Sequence, residues 1–296
     1  MRVVVSGSSG FIGSELLRRL ALRGDEAVRL VRRTPGDGEA WWDPMTGQLD
    51  PAVLRGADAV VNLSGAPLGR LPWTGRYRAE ILGSRLAATR TLVGALDRLD
   101  AQGETMPSLI NASAVGFYGS RPGVELSEDS TGGSGFLADV VRRWEDAALA
   151  APAGCRIVLA RTGVVLGPGG AVGPLLRLAR AGLAGPLGSG RQHWPWISLR
   201  DEAAAILHLI RSDASGPVNL VGPEPATAGG IGRAIARRIR RPYWIPAPSP
   251  VLTAILGEAA EELILADQLV RPDVLTASGF VFRDSTADAA VEGLLS

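Results

Sequence analysis

Three glycines spaced three apart, Gly7, Gly10 and Gly13 of "GSSGFIG", follow the apolar run "RVVVS" and open the Leu-rich segment "SELLRRLALRG". A strand, a tight glycine turn and a helix in that order form a pyrophosphate cradle. The first glycine turns the chain, the second lets the backbone approach the ligand, and the third lets helix and strand pack closely. The helix N-terminus then offers free N–H groups and a positive dipole end to the phosphates. Ser9, Phe11 and Ile12 complete the candidate cradle. At the end of the next apolar run stand Arg32 and Arg33, where an acid would select the ribose 2′-hydroxyl of NAD. Two guanidiniums suit a 2′-phosphate instead, and Ser9 adds a hydroxyl. The expected cofactor is NADP, with NAD the alternative.

Other chemistry is excluded by residue type. The chain contains no lysine, so all 31 of its Lys+Arg residues are arginine. A P-loop and a lysine Schiff base are therefore ruled out, and no G-x-S-x-G elbow occurs. Cys155 is the single cysteine, and His193 and His208 are the two histidines, without metal-ligand spacing. Neither a disulfide framework nor a metal site is expected.

A glycine turn of this kind needs a sheet beneath it. "AVRLVRR", "AWWDP", "ADAVVNLSGA", "SLINASAVG" and "CRIVLARTGVVLG" read as strands. "GRYRAEILGSRLAATRTLVGALDRL" and "GSGFLADVVRRWEDAA" read as helices between them. The alternation predicts an α/β fold, a Rossmann-type doubly wound parallel sheet with a smaller C-terminal substrate-side lobe. Residues 1–165 form the expected nucleotide-binding domain, with the sheet completed by 196–222; residues 166–195 and 223–296 form the lobe. Ligands bind beyond the carboxyl ends of such strands. That places Leu63, Ser64, Gly65, Ala66, Arg161, Thr162 and Gly163 beside the cofactor. Asp43 either accepts from the adenine amino group or forms an Asp-Pro turn.

The 296 residues are 46% hydrophobic and 21% charged, with a formal net charge of +1, as in a globular soluble protein. No block of one charge sign stands out, so neither nucleic acid nor a membrane is the expected main partner. No apolar run reaches the length of a membrane span. The start, "MRVVVSGSSG", does not read as a signal peptide, and a cytoplasmic location is expected.

"SGSSGFIG", "NLSGA", "NASAVGFYG", "RTGVVLG" and "WISLRDEAAA", in that order, resemble the extended short-chain dehydrogenase/reductase superfamily. "WWDPMTGQLD", "GPLGSGRQHWPWI" and "LGEAAEELILADQLVRPDVLTASGFVF" are similar to its atypical NAD-dependent epimerase/dehydratase-like group, which carries a small characteristic C-terminal domain. The resemblance implies a Ser, Tyr and Lys catalytic set assisted by Asn. Carried over, the serine falls on Ser113, with Ala114 the neighbouring choice. Anchored on Glu145, the tyrosine position is Leu137 and the lysine position Val141. Anchored on Thr89, the asparagine position is Arg85. The proton-transfer pair is absent.

Tyr118 and Tyr77 are the phenols near enough in sequence to substitute. Without a lysine each keeps a pKa of about 10 and is a poor base. Arg85 could stabilise an oxyanion, and Tyr118 could equally be a packing residue. In the lobe, Arg191, Gln192, His193, Trp194 and Trp196 suggest a polar and aromatic lid, with Trp196 assigned to the core. His193 and Trp194 are the candidate substrate contacts, and His193 is either a replacement acid or a surface residue. The function expected is an NADP(H)-dependent oxidoreductase or epimerase-like enzyme on a small substrate. The alternative is an NADP(H)-binding regulatory or scaffold protein without catalysis.

Overall fold

The computed structural model describes residues 1–170 and 172–295. In chain order the elements are β1 (Arg2–Ser6), α1 (Phe11–Leu22), β2 (Glu26–Val31), β3 (Glu39–Asp43), β4 (Gln48–Leu49), β5 (Ala59–Asn62), α2 (Gly75–Asp100), β6 (Ser108–Ala114), β7 (Glu125–Leu126), α3 (Phe136–Leu149) and β8 (Ile157–Thr162). There follow β9 (Val164–Leu166), α4 (Val172–Arg180), β10 (Trp196–Ser198), α5 (Leu199–Arg211), β11 (Gly216–Leu220), α6 (Ala228–Arg238), α7 (Ser249–Leu256), α8 (Glu258–Leu263), β12 (Leu269–Val270), α9 (Asp273–Ala277) and α10 (Ala287–Leu294).

The main sheet runs β11-β8-β6-β5-β1-β2-β3-β4, and every pairing but β3 with β4 is parallel. Its central strands are the unbroken Val-rich runs, because a parallel strand is covered on both faces. Val3, Val5, Ala59 and Val61 pack with Leu16 and Leu20 of α1 and with the apolar face of α5. Val4 and Val60 pack with Leu92 and Leu96 of α2 on the other face. The strand order reverses between β1 and β5, and the C-terminal edge there is the crevice in which open α/β sheets bind ligands.

One expected strand divides. "CRIVLARTGVVLG" breaks at Gly163, where β8 ends and β9 leaves the main sheet to pair with β10. The Val164 amide donates to the Pro195 carbonyl at 2.6 Å. A Cβ on Gly163 would lie 2.1 Å from that same oxygen, so glycine is required at the branch. In the lobe, α4, α6 and α10 pack around Trp194 and Trp196. Among the described residues no helix is long and apolar enough to cross a membrane.

Candidate functional site

The glycine turn follows β1 directly. Gly7 has φ +68°, and a Cβ there would meet the Leu63 carbonyl at 2.6 Å; one on Gly13 would lie 2.4 Å from the Gly7 oxygen. Both glycines are demanded by the protein's own backbone. Gly10 is different: an added Cβ meets only the Gly7 oxygen, at 3.1 Å. Gly10 and Ser9 are exposed. Gly10 caps α1 without a side-chain hydrogen bond, and no acidic residue sits in the helix's first turn. The first N–H groups of α1 are therefore left without a side-chain cap, behind a residue that adds no side chain of its own. That is the form of a dinucleotide cradle, and the residues fit the group. Phe11 and Ile12 contribute backbone there, while their side chains pack elsewhere. Phe11 lies against Gly167, Gly169 and Gly170, and Ile12 joins the core under β1.

The two arginines beyond β2 are not equivalent. Arg33 grips Glu39 through two hydrogen bonds, at 2.6 and 2.7 Å. Its guanidinium, with the Gly36 amide, holds the Glu39 carboxyl down at about 2. Arg32 is exposed and makes no ion pair among the described residues. Asp43 accepts from the Met45 amide and the Thr46 hydroxyl, each at 2.9 Å. These bonds lower its pKa and seat it in the turn after β3.

Beyond β5, Leu63 and Ser64 are half-buried, Gly65 is exposed and Ala66 is buried. Arg85 closes over this segment. Its Nη1 donates to the Ala66 carbonyl at 3.1 Å and the Ile81 carbonyl at 3.0 Å, and its guanidinium lies 5.1 Å from the Trp144 ring centre. Burial lowers its pKa to about 10, so it remains a cation at neutral pH. Arg85 makes no ion pair with a carboxylate among the described residues.

Ser113 and Tyr118 are committed inside the protein. The Ser113 hydroxyl donates to Glu145 at 2.5 Å. Glu145 also takes two bonds from Arg161, both at 2.8 Å, in a nearly sealed ion pair. Arg161 Nη1 reaches the Tyr118 hydroxyl at 3.0 Å, and that hydroxyl donates to Asn219 at 2.8 Å. Tyr118 is fully buried, and burial pushes its pKa above the ordinary phenol value. The packing role fits it; an accessible acid does not. Arg161 likewise serves this network rather than the cofactor. Successive strand residues face opposite ways, and Asn111 shares the Ser113 face. Ala114 therefore points to the other face, and no hydroxyl stands there. Leu137 and Val141 are buried against Gly116. Thr162 donates to Glu202 at 2.8 Å, and Gly163 serves the branch described above.

In the lobe, Trp194 is buried and its indole donates to the Ile264 carbonyl at 3.0 Å, a core position rather than a substrate contact. Trp196 is buried, as its core assignment expects. Gln192 is also internal, bridging Leu187 and Ile264, while Arg191 is exposed. His193 is half-buried, and its Nδ1 lies 2.9 Å from Asp267. The neighbouring Gln268 donates to the carbonyls of Val115 and Gly119, at 3.0 and 2.8 Å. The His–Asp pair is thus seated against the turn after β6.

Several polar residues escape a reading of motifs. Asn62 joins Ser6, Thr89 and Asn111 in a buried chain under the crevice, and Trp144 donates to Thr89. Glu128 accepts from the backbone amides of Asn219 and Val274. Glu262 of α8 accepts from the Phe136 and Leu137 amides, at 2.8 and 3.0 Å, capping α3 from the other lobe. An isolated polar letter inside an apolar strand is the only signal for Asn62 and Asn111, and nothing local announces Glu262. Among the described residues no group of three or more His, Cys, Asp or Glu is placed to hold a metal.

Comparison with known proteins agrees with this architecture. An epimerase family protein of Mycobacterium bovis is 41% identical over 98% of this chain and 96% of its own length. The human epimerase family protein SDR39U1 is 35% identical, with both chains fully covered. A crystal structure of human SDR39U1 (isoform 2) with NADPH superposes with a TM-score of 0.91 at 34% identity, covering 100% of this chain and 99% of that one. A nucleoside-diphosphate sugar epimerase from Corynebacterium glutamicum gives a TM-score of 0.80 at 30% identity, covering 100% of this chain and 58% of that one. Residues 247–294 match a domain of unknown function, DUF1731. Residues 3–222 match the NAD dependent epimerase/dehydratase family, and the chain belongs to that family.

Proposed function

We propose that the chain binds NADP(H) in the glycine turn and acts as an oxidoreductase or epimerase-like enzyme on a small molecule. The observation that carries this reading is Gly10, which heads α1 with neither a side chain nor a side-chain cap and so leaves the helix N–H groups open. The exposed guanidinium of Arg32 supports the 2′-phosphate, and the NADPH in the human relative agrees. Bound NADP(H) supplies hydride transfer. Around it, Arg85 orients and polarises a substrate oxygen from beside Gly65 and Ala66. The Asp267 carboxylate fixes His193 with Nδ1–H toward itself, leaving Nε2 to exchange a proton. Leu137 and Val141 keep water from the wall where the missing pair would stand.

A second reading has its own support. With Ser113 and Tyr118 both engaged internally, the protein would bind NADP(H) and catalyse nothing. Titration with NADPH, NADP+, NADH and NAD+, followed by tryptophan quenching, tests the cofactor. Arg32→Ala should weaken NADPH about tenfold or more, the scale of one charge-assisted hydrogen bond, and leave NADH unchanged. Equal loss for both removes Arg32 from the 2′-phosphate. NADPH oxidation against a panel of aldehydes and ketones then separates enzyme from sensor: His193→Asn should abolish turnover while keeping cofactor affinity.

A further inference from the structure

His193 shares a small cleft with a polar side chain that the chemistry above leaves unused. The cleft lies just past the carboxyl end of β11 and has a volume of about 10 Å³. Its lining includes His193, Trp194, Trp196, Gly222, Glu224 and Gln268. A cleft of that volume admits one water-sized group.

Gln268 is buried, and its amide has a single orientation. Nε2 spends both hydrogens on backbone carbonyls, that of Val115 at 3.0 Å and that of Gly119 at 2.8 Å. A flipped amide would set Oε1 against two other acceptors. Oε1 is therefore the end left over. Among the described residues, the unpartnered side-chain atoms sealed from solvent belong to Glu128, Glu202 and Asp284. Oε1 of Gln268 is not one of them and reaches solvent.

The groups around it are already spent, or are acceptors themselves. The Trp194 and Trp196 indoles donate to the carbonyls of Ile264 and Glu224, at 3.0 and 2.8 Å. The amides of Trp194, Gly222 and Gln268 donate to the carbonyls of Ala226, Trp196 and His193. The His193 amide donates to Asp267 at 2.8 Å. With its Nδ1–H on the same carboxylate, His193 presents Nε2 as a lone pair. Glu224 adds an exposed carboxylate, which only accepts.

We infer that Gln268 Oε1 is a specificity contact, taking a hydrogen bond from a hydroxyl or amino group that the substrate places in this cleft. The role rests on the reading of His193 as the proton-exchanging group, and it narrows the substrate class. The cleft takes one heavy atom and His193 lines it, so the donor and the reacting oxygen stand on neighbouring carbons. A methyl group in the same place would leave Oε1 desolvated and unpaired, and a built acceptor rejects an analogue without the donor.

The test titrates the full chain, with and without NADP+, against hydroxyacetone, aminoacetone and butanone. These differ only in the group beside the carbonyl, and the fluorescence of Trp194 and Trp196 reports occupancy. Hydroxyacetone or aminoacetone should bind about tenfold or more tighter than butanone. A preference for aminoacetone that Glu224→Gln removes identifies an amino group; a preference for hydroxyacetone that survives Glu224→Gln identifies a hydroxyl. Either supports the contact. Gln268→Leu should erase the preference. Equal binding of the three by the wild type, or binding of none, overturns the contact, and so does a preference unchanged in Gln268→Leu. The wild-type comparison decides even where Gln268→Leu does not fold. The preference is read in binding, so turnover that persists in His193→Asn removes the acid and leaves the contact standing.

Discussion

Glu202 lies on the first turn of α5 with one carboxylate oxygen on the Thr162 hydroxyl and the other without a hydrogen-bond partner among the described residues. Burial raises its pKa from 4.5 to about 8. The folded protein therefore holds a proton there that the unfolded chain releases near 4.5, and between those values the native state binds more protons. Stability should fall as pH rises through that window and level off above about 8. Each tenfold in proton affinity corresponds to about 1.4 kcal/mol, and each kcal/mol moves the melting temperature of a domain of this class by about 2–4 °C. Melting curves at mildly acidic and mildly alkaline pH should differ accordingly in the wild type. In Glu202→Gln the difference should shrink; an identical slope in both would clear Glu202 of the effect. The same chemistry separates the predicted site residues. In the sequence Ser113 is the candidate to orient a substrate oxygen and Tyr118 a candidate to stand in for the missing tyrosine, yet a buried carboxylate and guanidinium claim both in the fold.

Helix α3 carries Leu137 and Val141, the positions on which the resemblance places a proton-transfer pair. Leu137 and Val141 are 6 and 3% exposed, and both face Gly116. Installing Leu137→Tyr with Val141→Lys would bury an ammonium with no designed partner, a change that costs about 3–5 kcal/mol when a buried charge stands uncompensated. The double variant should melt lower and gain no carbonyl reduction. A large gain in NADPH-dependent reduction would show that the wall had not been rebuilt. Much at this scale was legible beforehand. The glycine turn, the Val-rich strands and the periodic helices follow from patterns local to a few residues. The choice between Ser113 and Ala114 does not, since it depends on which face of β6 meets α3. The break at Gly163 and the burial of Trp194 depend on Pro195 and Ile264, contacts that only the assembled lobe creates.

At the scale of the molecule, the sheet domain and the smaller lobe meet where Glu262 caps α3. The carboxylate fills two donors at a helix N-terminus, a site where losing a cap typically costs about 1 kcal/mol. Glu262→Ala should accelerate amide hydrogen exchange at Phe136 and Leu137 by several-fold, with little change at Val3–Val5 in the central strand. Unchanged protection at the two amides would show that the cap adds nothing to the closure.

The cap has a further consequence. Parting the two lobes at this point strips partners from a carboxylate and two amides together, so opening at the crevice is an uphill fluctuation. A ligand that drew the two lobes apart would meet that cost before any contact of its own.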